Sequence, residues 1–148
     1  MAKLTENTVR TFESNEDVNT VLVAAGVHIF QGEFIGINGG YARPYEKGDT
    51  VAGFALDEVD NTDGDNGAKK VDVRGRGKVC IELPNLSQES SIGATVLITE
   101  DGELSTETGD ACFGKVLRLE DPTHAIVGFD FIYQQEIAIA TTSQTTEG

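Results

Sequence analysis

Few side chains in this 148-residue chain are spaced for covalent chemistry. His28 and His124 are its two histidines, and His28 lies between Val27 and Ile29 in an apolar run. A Ser-His-Asp constellation needs its nucleophile on a sharp strand-to-helix turn, and no GxSxG elbow occurs. HExxH, GxxxxGK[ST] and GxGxxG are missing too, so no zinc-hydrolase helix, phosphate loop or dinucleotide fingerprint is present. The chain is expected not to be an enzyme and to use no cofactor.

The most metal-like stretch runs from Asp57 to Gly67. Calcium takes about six to eight hard oxygen ligands, and Asp60, Asp63 and Asp65 are the candidates, with Asn61 beside them. The EF-hand register fails, because no glutamate falls at the twelfth place of an Asp-x-Asp-x-Asp-Gly loop. A solvated turn rich in Asp, Asn and Gly is the competing account.

Charge says more than any motif. With 25 acidic and 11 basic residues the chain carries a formal charge of −14, which disfavours nucleic acid and anionic membranes as general partners. Arg74-Gly75-Arg76-Gly77 is only a faint RNA-binding signal against that background. Five of the basic residues (Lys69, Lys70, Arg74, Arg76 and Lys78) nevertheless follow directly on the acidic loop. From Val71 to Leu83 apolar or glycine residues occupy the odd positions, and Arg74, Arg76 and Lys78 the even ones. One strand over that range would present a row of three cations, suited to an acidic surface or a sister copy.

Short β-branched runs separated by Asn38-Gly39-Gly40, Asp63-Gly64, Asp101-Gly102 and Gly109-Asp110 predict an all-β fold. The expected architecture is a single β-sandwich or small β-barrel domain over 20–133. A single helical turn is expected near Asn85–Ser91, capped by Asn85 or Ser87. A shift of 61 positions places Gly32, Ile35, Ile37, Gly48, Asp49, Gly53 and Leu56 on Gly93, Val96, Ile98, Gly109, Asp110, Gly114 and Leu117. This pattern marks a pseudo-repeat of 32–56 on 93–117, or two hairpins that merely look alike.

The ends read differently. Residues 1–19 form a polar arm with Leu4, Val9, Phe12 and Val18 as spaced anchors, of a kind that orders on a partner. Residues 134–148 form a C-terminal tail whose Thr-rich end, from Thr141, is expected to be disordered. No hydrophobic run is long enough to span a bilayer, and no secretory h-region precedes Asn19, so the chain is expected to stay where it is made. Cys80 and Cys112 have no CxxC or CxxH spacing and read as free, buried thiols, with a disulfide as the alternative.

The order of signals resembles a known family. Phe30-Gln31-Gly32-Glu33-Phe34-Ile35-Gly36, Gly40-Tyr41-Ala42-Arg43-Pro44 and Gly48-Asp49-Thr50-Val51-Ala52-Gly53-Phe54-Ala55 form its first part. Val59-Asp60-Asn61-Thr62-Asp63-Gly64, the run Val71 to Val79, Ile92-Gly93-Ala94-Thr95-Val96 and Phe113-Gly114-Lys115-Val116 complete it. Over residues 20–132 the chain resembles the capsid cement, or head decoration, proteins of tailed bacteriophages. The resemblance implies a structural virion protein on the capsid exterior, made in the host cytoplasm, whose partner is the major capsid protein. It also implies a homo-oligomer, a trimer ahead of a dimer, with no catalytic residues. Leu4, Val9, Phe12, Arg74, Arg76 and Lys78 are the residues expected to touch the capsid. The rival readings are a carbohydrate- or host-surface-binding β module, which needs aromatic rings on one exposed face, and a small calcium-binding β protein.

Overall fold

Alternating side chains decide the layering. In Phe34–Asn38 (β3) and Thr50–Ala55 (β5), Phe34 and Phe54 join one buried cluster while Ile35 and Ala55 join another. Successive side chains of a strand point to opposite faces, so this sheet is buried on both sides and forms the middle layer. The computed structural model, which describes residues 3–12 and 17–133, is all-β. The middle sheet is completed by Val18–Leu22 (β1), Tyr41–Pro44 (β4) and Lys70–Arg74 (β7), in the order β1-β7-β5-β3-β4.

A small hairpin-like layer of Val27–Ile29 (β2) and Val59–Asn61 (β6) covers one face of that sheet. The other face packs on a second five-stranded sheet. Its members are Arg76–Glu82 (β8), Thr95–Ile98 (β9), Leu104–Ser105 (β10), Ala111–Asp121 (β11) and His124–Asp130 (β12). Their order is β10-β9-β11-β12-β8, every pairing is antiparallel, and among the described residues no sheet closes on itself. Stacked sheets, not the small barrel, are the outcome. The one helical turn, Gln88–Ser91 (α1), is capped by Ser87, whose side chain accepts from the Ser90 N–H.

The two large sheets share a pairing scheme. β3 meets β5 through Phe34↔Phe54, Ile35↔Gly53, Gly36↔Val51 and Ile37↔Thr50. β9 meets β11 through Thr95↔Lys115, Val96↔Gly114, Leu97↔Cys112 and Ile98↔Ala111, each 61 positions on, with the register shift at the same place. Hydrogen bonds outside the ladders repeat with that offset as well. Gly32 N–H donates to Ala55 O and Gly93 N–H to Val116 O; Ala55 N–H donates to Glu33 O and Val116 N–H to Ala94 O. Strands β1, β3, β4, β5 and β7 thus correspond to β8, β9, β10, β11 and β12. The sheets stack head to tail. The face of β9 and β11 bearing Val96 and Val116 packs on Phe34 and Phe54, whereas the matching face of the middle sheet carries Ile35 and Ala55.

Where the sequence predicts one long strand over 71–83, the chain changes sheets at Gly75. A Cβ there would lie 2.6 Å from Ile132 Cγ1 and 3.2 Å from Ala52 O, so the crossing is tight and a larger residue would have to displace the Ile132 side chain. The row of three cations is broken by the same crossing. Arg74 is 7% exposed, with its guanidinium 4.8 Å from the Phe12 ring centroid, while Arg76 opens the next sheet. Both cysteines are reduced and half-buried, and burial pushes the Cys112 thiol up.

The N-terminal arm lies on the body. Thr8 N–H donates to Gln31 O, Cys80 N–H donates to Thr11 O, and Phe12 forms a β-bridge with Val79. Phe12 packs edge-on against Phe54 at 6.0 Å, so this anchor binds the protein's own core. The 134–148 tail lies outside the described residues.

Candidate interaction surface

Arm and body meet at Glu33, which begins the turn into β3 and is only 2% exposed. It accepts from Leu4 N–H at 2.9 Å and Phe30 N–H at 3.3 Å, and Arg10 lies close enough for attraction. Arg10 Nε donates to Gly32 O at 2.8 Å, and its guanidinium lies over the Phe54 ring at 5.3 Å. Burial raises the Glu33 carboxyl above its ordinary range, outweighing these contacts, and burial lowers Arg10. A carboxyl raised on folding adds stability below its unfolded pKa of about 4.3, and that contribution is lost as pH rises through the folded value. Glu33→Gln removes the charge and keeps an acceptor for one of the two N–H groups. Its melting temperature relative to the wild type is expected to rise between pH 4 and pH 7, read by calorimetry at both pH values; a falling difference would contradict the burial assignment.

The structure scatters the residues expected at a contact surface. Leu4 is half-buried, Phe12 is half-buried against the core, Arg74 is buried, and Val9 is 81% exposed. Arg76 is exposed but engaged: Nη1 is 3.3 Å from Asp17 Oδ2, Nε is 3.8 Å from Asp130 Oδ2, and its guanidinium lies 5.3 Å from the Tyr133 ring centroid. The Tyr133 hydroxyl is pushed up by its hydrogen bond to Asp17. Lys78 is half-buried on β8.

The acidic loop is organised by turns. The Asp60 carboxylate accepts from Thr62 N–H at 3.0 Å and from the Thr62 hydroxyl, which lowers its pKa. Asn61 is buried, and its amide donates to Ala24 O and Asp65 O, pinning the loop to the end of β1. Asp60, Asp63 and Asp65 are not brought together: among the described residues no group of three or more acidic, His or Cys side chains is placed to hold a metal ion. Each histidine holds a carboxylate. His28 Nε2 is 2.8 Å from Glu58 Oε2, and His124 Nδ1 is 2.9 Å from Asp121 Oδ1; the Asn7 amide and then His28 lower the Glu58 carboxyl, and His124 lowers Asp121. Thr123 at the second pair sits on the same Nδ1 side of the ring, so no hydroxyl nucleophile is aligned there.

A surface that the sequence reading missed lies along β1. This strand pairs with β7 on one side only, and its other edge has no backbone partner among the described residues from Val18 to Leu22. Val18 is 45% and Leu22 40% exposed, and the segment Val-Asn-Thr-Val-Leu holds no charge and no proline. Beside it a groove of about 220 Å³ opens onto the middle sheet, with Val21, Ile37, Val51 and Val73 in its walls and Phe131 and Ile132 at one side. The available signal was alternation: Val18, Thr20 and Leu22 share one face, but the apolar run looks as if it starts at Val21.

Among the described residues no helix is long and apolar enough to cross a membrane. No protein-family model matches this chain, and no curated protein matches it in sequence.

Proposed function

We propose that this chain is a structural virion protein that docks on the outside of a tailed-phage capsid and stabilises contacts between major capsid subunits. The observation that carries the reading is the open edge of β1. Folded proteins guard such edges with charges, prolines or bulges, because an unpaired row of N–H and C=O groups recruits other strands. β1 has none of these guards and adds exposed Val18 and Leu22. A capsid segment laid along it would gain main-chain hydrogen bonds and two apolar contacts.

The rest of the molecule suits that task. A three-layer body transmits load without bending, and many weakly bound copies act together across a shell. The charge of −14 keeps free copies apart before docking. Of the residues first expected at the capsid, Phe12 and Arg74 serve the interior, leaving Leu4, Val9, Arg76 and Lys78 as flanking contacts. A homo-oligomer, with a trimer ahead of a dimer, belongs to the same reading. The carbohydrate reading has little ring surface to use, since Phe34, Phe54, Phe113 and Phe129 are buried in the core.

Charges on the edge test the proposal. In co-sedimentation with expanded empty shells, Val18→Lys with Leu22→Lys is expected to lower affinity at least tenfold, about 1.4 kcal/mol. Both side chains are already partly solvated, so the melting curve should move little. Full occupancy by a folded double variant would overturn the assignment of β1.

A further inference from the structure

The direction of the main-chain groups along β1 follows from hydrogen bonds at its two ends. Gly75 N–H donates to Asp17 O and Val23 N–H donates to Lys69 O, so the odd-numbered residues turn their N–H and C=O groups toward β7. These groups alternate from side to side along an antiparallel strand, which leaves those of Val18, Thr20 and Leu22 pointing outward. In the second sheet the matching edge is occupied. Asn19, Thr20 and Val21 hold the places of Val79, Cys80 and Ile81, because their partners Val73, Asp72 and Val71 match Val127, Ile126 and Ala125. On β8 the outward Cys80 N–H donates to Thr11 O, and Phe12 pairs antiparallel with Val79. An extended piece of chain therefore lies along that edge, and β1 offers the same main-chain pattern.

Resting on the capsid reading, we propose that β1 takes a segment of the capsid subunit that is extended, antiparallel and apolar at two positions four residues apart. Partner residues opposite Val18 and Leu22 exchange both main-chain hydrogen bonds with them and place their side chains on the same face. Between these two, the Thr20 hydroxyl donates to Asp72 Oδ1 at 2.6 Å, so the partner residue opposite Thr20 meets a polar spot. The segment therefore reads apolar-x-polar-x-apolar. Apolar residues three apart do not serve, since period two sends one of them to the other face.

Two end-capped heptapeptides of one composition are the probes, Ser-Val-Ser-Thr-Ser-Val-Ser and Ser-Val-Ser-Thr-Val-Ser-Ser, titrated into the full chain and followed by amide NMR. The first is expected to bind roughly fivefold more tightly, the worth of one apolar contact. It should shift the amides of Val18, Thr20 and Leu22 more than those of Asn19 and Val21. A spin label on its N-terminus should broaden Leu22 more than Val18, as an antiparallel segment requires. Equal affinities, broadening strongest at Val18, or no shift along β1 at millimolar peptide would each overturn the proposal. Docking itself is read separately: loss of shell binding by the Val18→Lys, Leu22→Lys variant upholds the edge even where the peptides show another pattern.

Discussion

Gly53→Ala is expected to prevent cooperative folding. A Cβ at this position would lie 2.0 Å from the carbonyl oxygen of Arg74 and 2.8 Å from its carbon. The obstacle is backbone of the neighbouring strand β7, so no rotamer change relieves it. Gly53 also has φ +130°, a conformation that L side chains rarely adopt. Ala52 is the extra residue of the bulge between β5 and β3, and the kink it causes turns the missing side chain of Gly53 into the sheet. Relief requires breaking the Phe54↔Arg74 pairing, at a cost above about 4 kcal/mol, a large share of a domain's stability. Gly114→Ala should behave alike, since its Cβ would lie 2.0 Å from Gly128 O in the second sheet. Gly40→Ala is the control: φ is +92° but nothing lies within 4 Å, so only the backbone cost of about 1–2 kcal/mol remains. Denaturant unfolding of the three variants checks the contrast, and a Gly53→Ala protein as stable as Gly40→Ala would contradict it.

Phe54→Ala should be the most damaging truncation in the core. The ring is fully buried and lies 5.4–6.0 Å from those of Phe12, Phe34, Phe113 and Phe129. It joins the arm, the middle sheet and the second sheet, with the Arg10 guanidinium over its face. Deleting a buried phenyl costs about 3–5 kcal/mol, and the edge-to-face pairs add about 0.5–1.5 kcal/mol each. A fall in melting temperature of roughly 10–15 °C is expected, since about 1 kcal/mol corresponds to a few degrees at this size. Phe12→Ala should cost less, because that ring is partly exposed and contacts one edge of the cluster. A calorimetric scan that ranked Phe12→Ala above Phe54→Ala would refute this placement of the core.

The strand-rich body was legible because its signals are local. Short β-branched runs lie within β3, β5, β9, β11 and β12, and Gly-containing turns lie between neighbours, where nearby residues alone report them. The offset of 61 was visible for a similar reason, as glycines such as Gly53 and Gly114 sit where a neighbouring carbonyl leaves no room. What escaped depends on distant partners. Alternation runs unbroken through Gly75, so nothing nearby reports that Arg74 and Arg76 belong to different sheets. Arg74 is buried because Phe12, far earlier in the chain, supplies a ring beneath it. Phe12 resembles an anchor for a partner until the core with which it packs is assembled. β6 was hidden because its three residues fall inside the acidic loop, whose composition reads as turn.

The candidate surface was less legible than the fold. A strand edge is a property of sheet order, and the position of β1 outside β7 follows only once all five strands are placed. The cations that stood out in sequence are drawn into intramolecular contacts with Asp17, Asp130 and aromatic rings. The uncharged strand beside them is the one that presents an unguarded edge.

Electron cryo-microscopy of expanded empty shells, with and without the purified chain, tests the central claim most directly. The account predicts ordered added density on the outer surface at symmetry-related positions, with β1 as the strand nearest the shell. Bare shells after incubation with saturating folded protein, or decoration that leaves the β1 edge facing solvent, would contradict it.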